Sequence, residues 1–137
     1  MEFVSAGHTP FLYIGHGGVR LEKATGVPLG LFPDSRYPSG RLTLEPGESL
    51  LICTDGVTEA QNVCQQEYSI HRLAGVARWN HDVGPAPLIE ECVKDLQSFT
   101  GKTPLSDDVT LLSIRRRPVR TAENRVNQNT ARAPGVL

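Results

Sequence analysis

The sequence predicts an α+β fold built on antiparallel sheet, and three observations lead to this prediction. Residues Ser49–Cys53 are a largely apolar run bounded by turn residues, which is typical of a strand buried on both faces. Apolar residues recur at helical spacing over residues 88–99, with polar residues between them, as in a helix that packs on a sheet. Strand patterns come first, helical patterns follow and one strand pattern closes the chain, which is the order expected of an α+β protein.

The N-terminal region predicts three strands. Residues 2–7 read as a strand, residues 11–14 as a second, and the glycine-rich residues 15–18 as a tight turn into a third strand at 19–21, which gives a hairpin. Residues 25–33 are apolar but rich in glycine and proline, so we expect an ordered loop packed against the core.

The middle of the chain predicts a second hairpin. Residues 41–44 alternate polar and apolar side chains, as a half-exposed strand does. The turn Glu45-Pro46-Gly47-Glu48 leads directly into Ser49–Cys53. We therefore expect these two strands to pair antiparallel, in a hairpin that ends at Asp55.

Helical signals follow. Residues 57–62 predict a short helix, and Ser69 is a predicted N-cap for a helix over Ile70–Trp79. Residues 80–87 predict a loop, and residues 88–99 predict the longest helix, closed by Gly101. A final strand is expected at residues 109–114.

Length and charge suggest one domain, or part of one, followed by a tail. We assign residues 1–115 to the folded domain and residues 116–137 to a disordered tail. Residues 115–137 hold six arginines and one glutamate, a local charge of +5. The net charge of the whole chain is −1, so residues 1–114 carry a charge of −6. The acidic part suits a divalent cation. The arginines would also suit nucleic acid or an acidic partner, but the tail has no aromatic residues to stack on bases, so we expect a solvated tail and no nucleic acid.

Cysteine usage and hydropathy indicate a compartment. The spacing of Cys53, Cys64 and Cys92 is not that of a zinc site, and we expect Cys53 and Cys92 to be buried free thiols, as in a reducing cytoplasm. We find no apolar run of membrane-spanning length and no signal-peptide pattern, so a cytoplasmic protein that does not bind a membrane is expected.

Two acidic positions suggest chemistry. Asp55 follows the predicted core strand and precedes Gly56, while Asp107 and Asp108 precede the last strand. If these strands are antiparallel neighbours, both positions lie at one edge of the sheet, and oxygen ligands there would suit magnesium or manganese. The alternative is that the aspartates only form turns, and spacing alone favours that alternative.

Five motifs in a fixed order resemble a known family: Ala6-Gly7-His8-Thr9-Pro10, residues 26–32, residues 44–48, residues 54–60 and residues 106–112. Together they resemble the C-terminal half of the bacterial SpoIIE/RsbU-like branch of the PPM metal-dependent serine/threonine protein phosphatases. The resemblance implies a sandwich of antiparallel sheets flanked by helices, with the N-terminal part missing. It also implies a two-metal manganese or magnesium centre. The implied substrate is phosphoserine or phosphothreonine on a signalling protein, such as an anti-sigma-factor antagonist.

The resemblance also assigns site residues. Asp55 and Asp107 match metal ligands of the family, Gly56 allows a close backbone approach, and Asp108 is a further candidate ligand. His8 would assist phosphate or another metal, although a hydrogen-bonded turn histidine is an equally good interpretation.

One family motif has no match in this sequence. The family's other half carries an Asp-x-x-Gly-x-Gly motif whose aspartate bridges both metals, and the nearest string here, Gly15-His16-Gly17-Gly18, has no acid. We therefore expect an incomplete metal centre, and a chain that is inactive or weakly folded unless a second copy or a separate chain supplies the missing strands. The alternative is a catalytically inactive phosphatase-like module that binds a signalling partner.

Overall fold

A computed structural model describes residues 1–117, and these residues form two antiparallel sheets and three helices. In chain order the elements are β1 (Glu2–Phe3), β2 (Phe11–Gly15), β3 (Gly18–Glu22), β4 (Gly40–Arg41), β5 (Ser49–Cys53), α1 (Asp55–Thr58), α2 (Ile70–Trp79), α3 (Pro85–Thr100) and β6 (Leu111–Arg115). The larger sheet has the strand order β3-β2-β5-β6, and β1 pairs with β4 in a smaller one. The predicted α+β class with antiparallel sheets is confirmed.

Strand β5 lies at the centre of the larger sheet, as its apolar sequence requires. Leu51 pairs with Leu12 of β2 on one side, and Leu50 pairs with Ile114 of β6 on the other. Leu50 and Leu51 point to opposite faces of the sheet, and both are almost fully buried. The strand is therefore covered on both faces, which explains why its sequence does not alternate.

One face of the sheet packs against α2 and α3. Its core contains Leu12, Ile14 and Leu51 from the sheet together with Leu73 and Leu88 from the helices, all at most 2 % exposed. Complete burial of one such side chain contributes roughly 1.5–3 kcal/mol. This layer is the main hydrophobic core of the described residues.

The other face carries a smaller core. Phe11, Leu42 and Leu50 are buried there, with Phe3 packed edge-on against Phe11 at 5.1 Å between ring centroids. The edge strand β6 presents Leu112 and Ile114 on this side, and they are 51 % and 44 % exposed. The cover over this face is thus partial within residues 1–117.

The two long helices follow their local signals. Helix α2 spans the predicted residues, and the Ser69 hydroxyl accepts a hydrogen bond from the Arg72 backbone N–H. Helix α3 begins at Pro85, three residues before the prediction, because proline is favoured at the first helical position, where no N–H bond is needed. It ends at Thr100, and Gly101 is its C-cap, as predicted.

The structure corrects several predictions. Strand β4 is shorter than predicted and pairs with β1, so the predicted hairpin between residues 41–44 and β5 was wrong. The strand predicted at residues 2–7 is limited to Glu2–Phe3, because the chain leaves the sheet and forms a bridge at Ala6 with Gly26. The helix predicted at residues 57–62 is α1, which begins at Asp55, and the last strand begins at Leu111 rather than at residue 109.

The loop at residues 25–33 was also predicted wrongly, since it is not packed into the core. Leu29, Leu31 and Phe32 are 57–75 % exposed, because the chain here forms two successive turns, closed by hydrogen bonds from Leu31 to Pro28 and from Ser35 to Phe32, and not a segment against the sheet. The predicted tail at 116–137 lies outside the described residues from position 118 onward, so its disorder and the domain boundary stay predictions. Among residues 1–117, no helix has the length and hydropathy needed to cross a bilayer.

Candidate metal centre

The two acidic positions predicted from the sequence lie at the same edge of the larger sheet. Strands β5 and β6 are antiparallel, and Cys53, the last residue of β5, pairs with Leu111, the first residue of β6. Asp55 comes two residues after Cys53, and Asp108 comes three residues before Leu111. The end of β5 and the start of β6 therefore bring these aspartates to one rim.

Gly56 makes this approach close. A Cβ atom placed on Gly56 would lie 2.4 Å from the Asp108 carbonyl oxygen and 3.1 Å from the Asp107 carbonyl carbon. No real side chain tolerates the shorter distance, so only glycine permits this contact between the two segments. Gly56 is buried, whereas Asp55 beside it is exposed.

Thr54 ties the two acidic segments together. Its hydroxyl donates a hydrogen bond to the Asp108 carbonyl (2.8 Å) and accepts one from the Thr110 backbone N–H (3.0 Å). The Thr54 backbone N–H also donates to the Thr110 carbonyl (3.1 Å). Thr54 is therefore the residue that fixes the rim, although its hydroxyl makes no capping bond to helix α1.

This role of Thr54 was not predicted from the sequence. The signal available was a hydroxyl residue at a strand end, directly before the Asp-Gly pair. Its partners are 54 and 56 residues away in sequence, so only the pairing of β5 with β6 reveals them.

The aspartates themselves are open to solvent. Asp55 Oδ1 accepts a hydrogen bond from the Gly56 N–H (3.0 Å), and Asp107 Oδ1 accepts one from the Asp108 N–H (2.7 Å). Each bond orients its carboxylate while leaving acceptor capacity unused, since an ionised carboxylate has about four lone-pair positions. Oxygen donors of this kind fit magnesium or manganese. Within residues 1–117, however, no group of three or more His, Cys, Asp or Glu side chains converges on a point.

His8 lies on a segment fixed to the same strand end. The Thr9 hydroxyl donates to the Cys53 carbonyl (2.7 Å), and the His8 Nδ1–H donates to the Thr9 carbonyl (2.9 Å). Because a carbonyl only accepts, this hydrogen bond requires a proton on Nδ1. His8 is exposed, so Nε2 is accessible from solvent.

The backbone before His8 is held by a close contact. Gly7 has φ +80°, and a Cβ atom there would lie 2.6 Å from the ring of Pro28. Glycine is therefore needed both for the left-handed conformation and for the contact. The loop at residues 25–33, through Pro28, supports the segment that carries His8.

Burial, together with a smaller effect of the negative charge of Asp55, raises the pKa of the Cys53 thiol to about 11. The thiol is therefore protonated at neutral pH. Cys53 and Cys92 are free and buried, as predicted, and Cys64 is free and exposed.

Comparison with known proteins gives a consistent result. The family model described as Stage II sporulation protein E (SpoIIE) matches residues 1–117. The chain is 35% identical over 115 residues to phosphoserine phosphatase RsbP of Bacillus subtilis, covering 83% of this chain and 27% of RsbP. It is 26% identical over 117 residues to protein IcfG of Synechocystis sp., covering 85% of this chain and 18% of IcfG. The chain thus spans less than a third of the length of these curated relatives.

Solved structures share the fold. The RsbU and RsbW domains of a Mycobacterium tuberculosis protein match with a TM-score of 0.69 at 24% identity, over 95% of this chain and 39% of that one. The SiaA-PP2C domain of Pseudomonas aeruginosa matches with a TM-score of 0.65 at 24% identity, over 77% of this chain and 42% of that one. At these identities the likeness concerns the fold.

Proposed function

This chain belongs to the SpoIIE family of PPM-type phosphatases, and from that premise we propose that it forms part of a metal-dependent serine/threonine phosphoprotein phosphatase. The observation that supports the proposal most directly is the contact between Gly56 and Asp108, which joins the two acidic segments at one rim. Two distant motifs are thereby placed together on a rigid sheet edge, where ligands to a shared cation would have to lie.

The proposed roles follow from the donor chemistry. Asp55 and Asp107 would hold manganese or magnesium, Asp108 would be a further oxygen donor, and Gly56 would allow the backbone to approach. A bound divalent cation would supply a water of lowered pKa and neutralise charge on a phosphate. His8 would assist phosphate or a further metal, because its ring is exposed on a segment hydrogen-bonded to the end of β5.

The proposed centre needs further ligands. Within residues 1–117, no three His, Cys, Asp or Glu side chains converge, so Asp55, Asp107 and Asp108 do not form a complete site by themselves. We therefore propose that a second copy or a separate chain completes the two-metal site, and that the 137-residue chain alone has little or no activity.

The proposed substrate is a phosphoserine or phosphothreonine on a bacterial signalling protein, such as an anti-sigma-factor antagonist. Support comes from the relative called phosphoserine phosphatase RsbP and from the neighbour that joins RsbU and RsbW domains. The free thiols are compatible with the cytoplasm as the proposed compartment.

A second candidate function is a phosphatase-like module that binds a signalling partner without catalysis. The lack of a third converging ligand within residues 1–117 favours it. The two candidates differ in metal dependence, because a binding module has no need of a cation at Asp55 and Asp107.

Manganese titration of the purified chain tests the proposal. We expect saturable binding, and at least about tenfold weaker affinity in both Asp55→Asn and Asp107→Asn, because each change removes a charged ligand. Asp34→Asn, at an exposed position in the loop before β4, is the matched control and should leave the affinity unchanged. Equal manganese affinities in all four proteins would contradict the proposal and favour the binding module.

A further inference from the structure

A cleft of about 440 Å³ lies between the loop that follows α1 and the loop that follows α3. The first loop continues from the Asp55 segment, and the second leads to Asp107. The side chains that line the cleft are mostly amides and other polar groups: Gln61, Asn62, Val63, Gln65, Lys102, Thr103 and Pro104.

The cleft is connected to the acidic rim by both of its walls. The segments that lead into the two walls touch where Gly56 meets Asp108. From that contact, five residues lead to Gln61 on one wall and six lead back to Lys102 on the other. Six residues of extended chain span at most about 20 Å. A peptide with its phosphate at the aspartates would therefore reach the cleft with the next few residues.

One wall is pre-formed by a network around Asn62. The Asn62 side-chain oxygen accepts from the Cys64 and Gln66 backbone N–H groups at 2.9 and 3.0 Å, and its amide donates to the Gln66 side-chain oxygen at 2.9 Å. Gln65 adopts a positive φ of 61°, which is uncommon for a residue with a side chain. This loop holds Val63 outward, with 88 % of the side chain exposed.

The other wall provides a cation. Lys102 is exposed at the start of the loop that leads to Asp107, and it takes part in no ion pair among residues 1–117. An acidic side chain on a ligand would be attracted by Lys102, so it would favour this end of the site.

We propose that this cleft binds the part of a phosphoprotein that flanks the phosphorylated residue. A carboxylate about four to six residues from the phosphoserine contacts Lys102, an apolar residue packs on Val63, and the amides of Gln61 and Gln65 pair with the peptide backbone. The proposal rests on the proposed function, because it takes the aspartates as the position of the phosphate.

Peptide titration of the isotope-labelled 137-residue chain, followed by NMR with magnesium present, tests the proposal. The probe is a ten-residue phosphoserine peptide with glutamate five residues from the phosphoserine, and the comparison peptide has lysine there. We expect shifts of amides in residues 61–66 and at Lys102 and Thr103. The glutamate peptide should bind about three- to tenfold more tightly, the range expected when an exposed ion pair is exchanged for a repulsion.

Lys102→Glu should abolish or reverse this preference. Lys94→Glu is the matched control, since it makes the same charge change on an exposed residue of α3, and it should keep the preference. Val63→Ser should weaken binding of both peptides equally.

Three results would overturn the proposal: binding of neither peptide, equal affinity of the two peptides, or shifts in the cleft that depend on protein concentration alone. The last result would make the cleft an interface between copies of the chain. Manganese affinity is measured separately on the same variants and should be unchanged in Lys102→Glu. In the unmodified chain, lack of a preference for the glutamate peptide together with intact manganese binding rejects the cleft alone, whereas absence of manganese binding rejects the proposed function.

Discussion

The backbone of Gly56 touches the carbonyl group of Asp108 so closely that a methyl group on Gly56 would come within 2.4 Å of the carbonyl oxygen. These residues are 52 positions apart, and each adjoins an aspartate at the rim. The spacing between the two acidic segments is therefore set by the absence of a side chain at one position.

Gly56→Ala should lower the free energy of unfolding by about 1–3 kcal/mol, because the added methyl group forces the two segments apart. Urea denaturation measures this change. Gly75→Ala is the control, since a Cβ at Gly75 in the middle of α2 meets nothing within 4 Å. That substitution should instead raise stability by about 0.5–1 kcal/mol. Equal effects of the two substitutions would show that the contact is not tight.

The sequence predicted best where the signals were local. Ser69 and the spacing after it defined α2 correctly at both ends, because a cap and a helical stripe act within a few residues. The pairing of residues 41–44 was wrong because strand alternation does not encode a partner. Residue Leu51 of β5 pairs with Leu12 of β2, and no local pattern contains that information.

In the candidate site, too, local signals were predicted correctly and long-range contacts were not. Asp55 and Asp107 were located by strand ends, and the Gly56–Asp108 contact agrees with the expectation that the two ends lie at one edge. The hydrogen bonds of Thr54 across the rim were not predicted, since its hydroxyl bonds to residues more than fifty positions away. The roles of these aspartates as metal ligands stay predictions.

Glu48 should make stability depend on pH. Its side chain is 5 % exposed, and burial alone would raise its pKa. Hydrogen bonds from the Tyr13 hydroxyl and from the backbone N–H groups of Glu45 and His16 outweigh burial and hold the pKa of Glu48 below its usual 4.5. A lowered folded-state pKa gives stability that is present above the unfolded pKa and is lost as the pH falls through the folded value.

The stability of the unmodified chain should therefore decline as the pH falls below about 4.5, and Glu48→Gln should show a shallower decline. At pH 7 Glu48→Gln should lower the free energy of unfolding by about 1–3 kcal/mol. The buried side-chain NH₂ group of the glutamine is a donor, and it would face the N–H and O–H donors that bond to the carboxylate in the unmodified chain. Glu45→Gln, at an exposed neighbouring position, should keep the parent pH profile. Thermal denaturation between pH 3 and pH 7 measures both effects, and parallel profiles for Glu48→Gln and the parent would refute this role.

Tyr68 links the loop after α1 to both long helices. Its hydroxyl donates to Asp95 at 2.8 Å, and Asp95 also accepts two hydrogen bonds from Arg72. Tyr68→Phe should lower the free energy of unfolding by about 0.5–1.5 kcal/mol, the usual net value of one hydrogen bond. Tyr37→Phe should cost less, because its hydroxyl makes only an exposed 3.4 Å bond. Chemical denaturation of both variants measures the two losses of stability, and equal losses in Tyr68→Phe and Tyr37→Phe would contradict this prediction.

Leu51→Ala should be strongly destabilising. Leu51 is fully buried in the central strand, so truncation removes apolar contacts and leaves a cavity, at a cost of about 2–5 kcal/mol. Leu29→Ala, 75 % exposed, should change stability by less than about 0.5 kcal/mol. The measurement is the urea midpoint of each variant, and a cost for Leu51→Ala below about 1 kcal/mol would argue against the central placement of β5.

The hydrogen bonds of Thr54 to Asp108 and Thr110 have a consequence for how the rim is assembled. They close a loop of more than fifty residues, which includes α1, α2 and α3. Closing a long loop carries an entropic cost that must be offset by the contacts it brings. The two acidic segments therefore come together only when β6 docks beside β5. During synthesis on the ribosome, Asp55 can be joined by the Asp107–Asp108 segment only after β6 has been made.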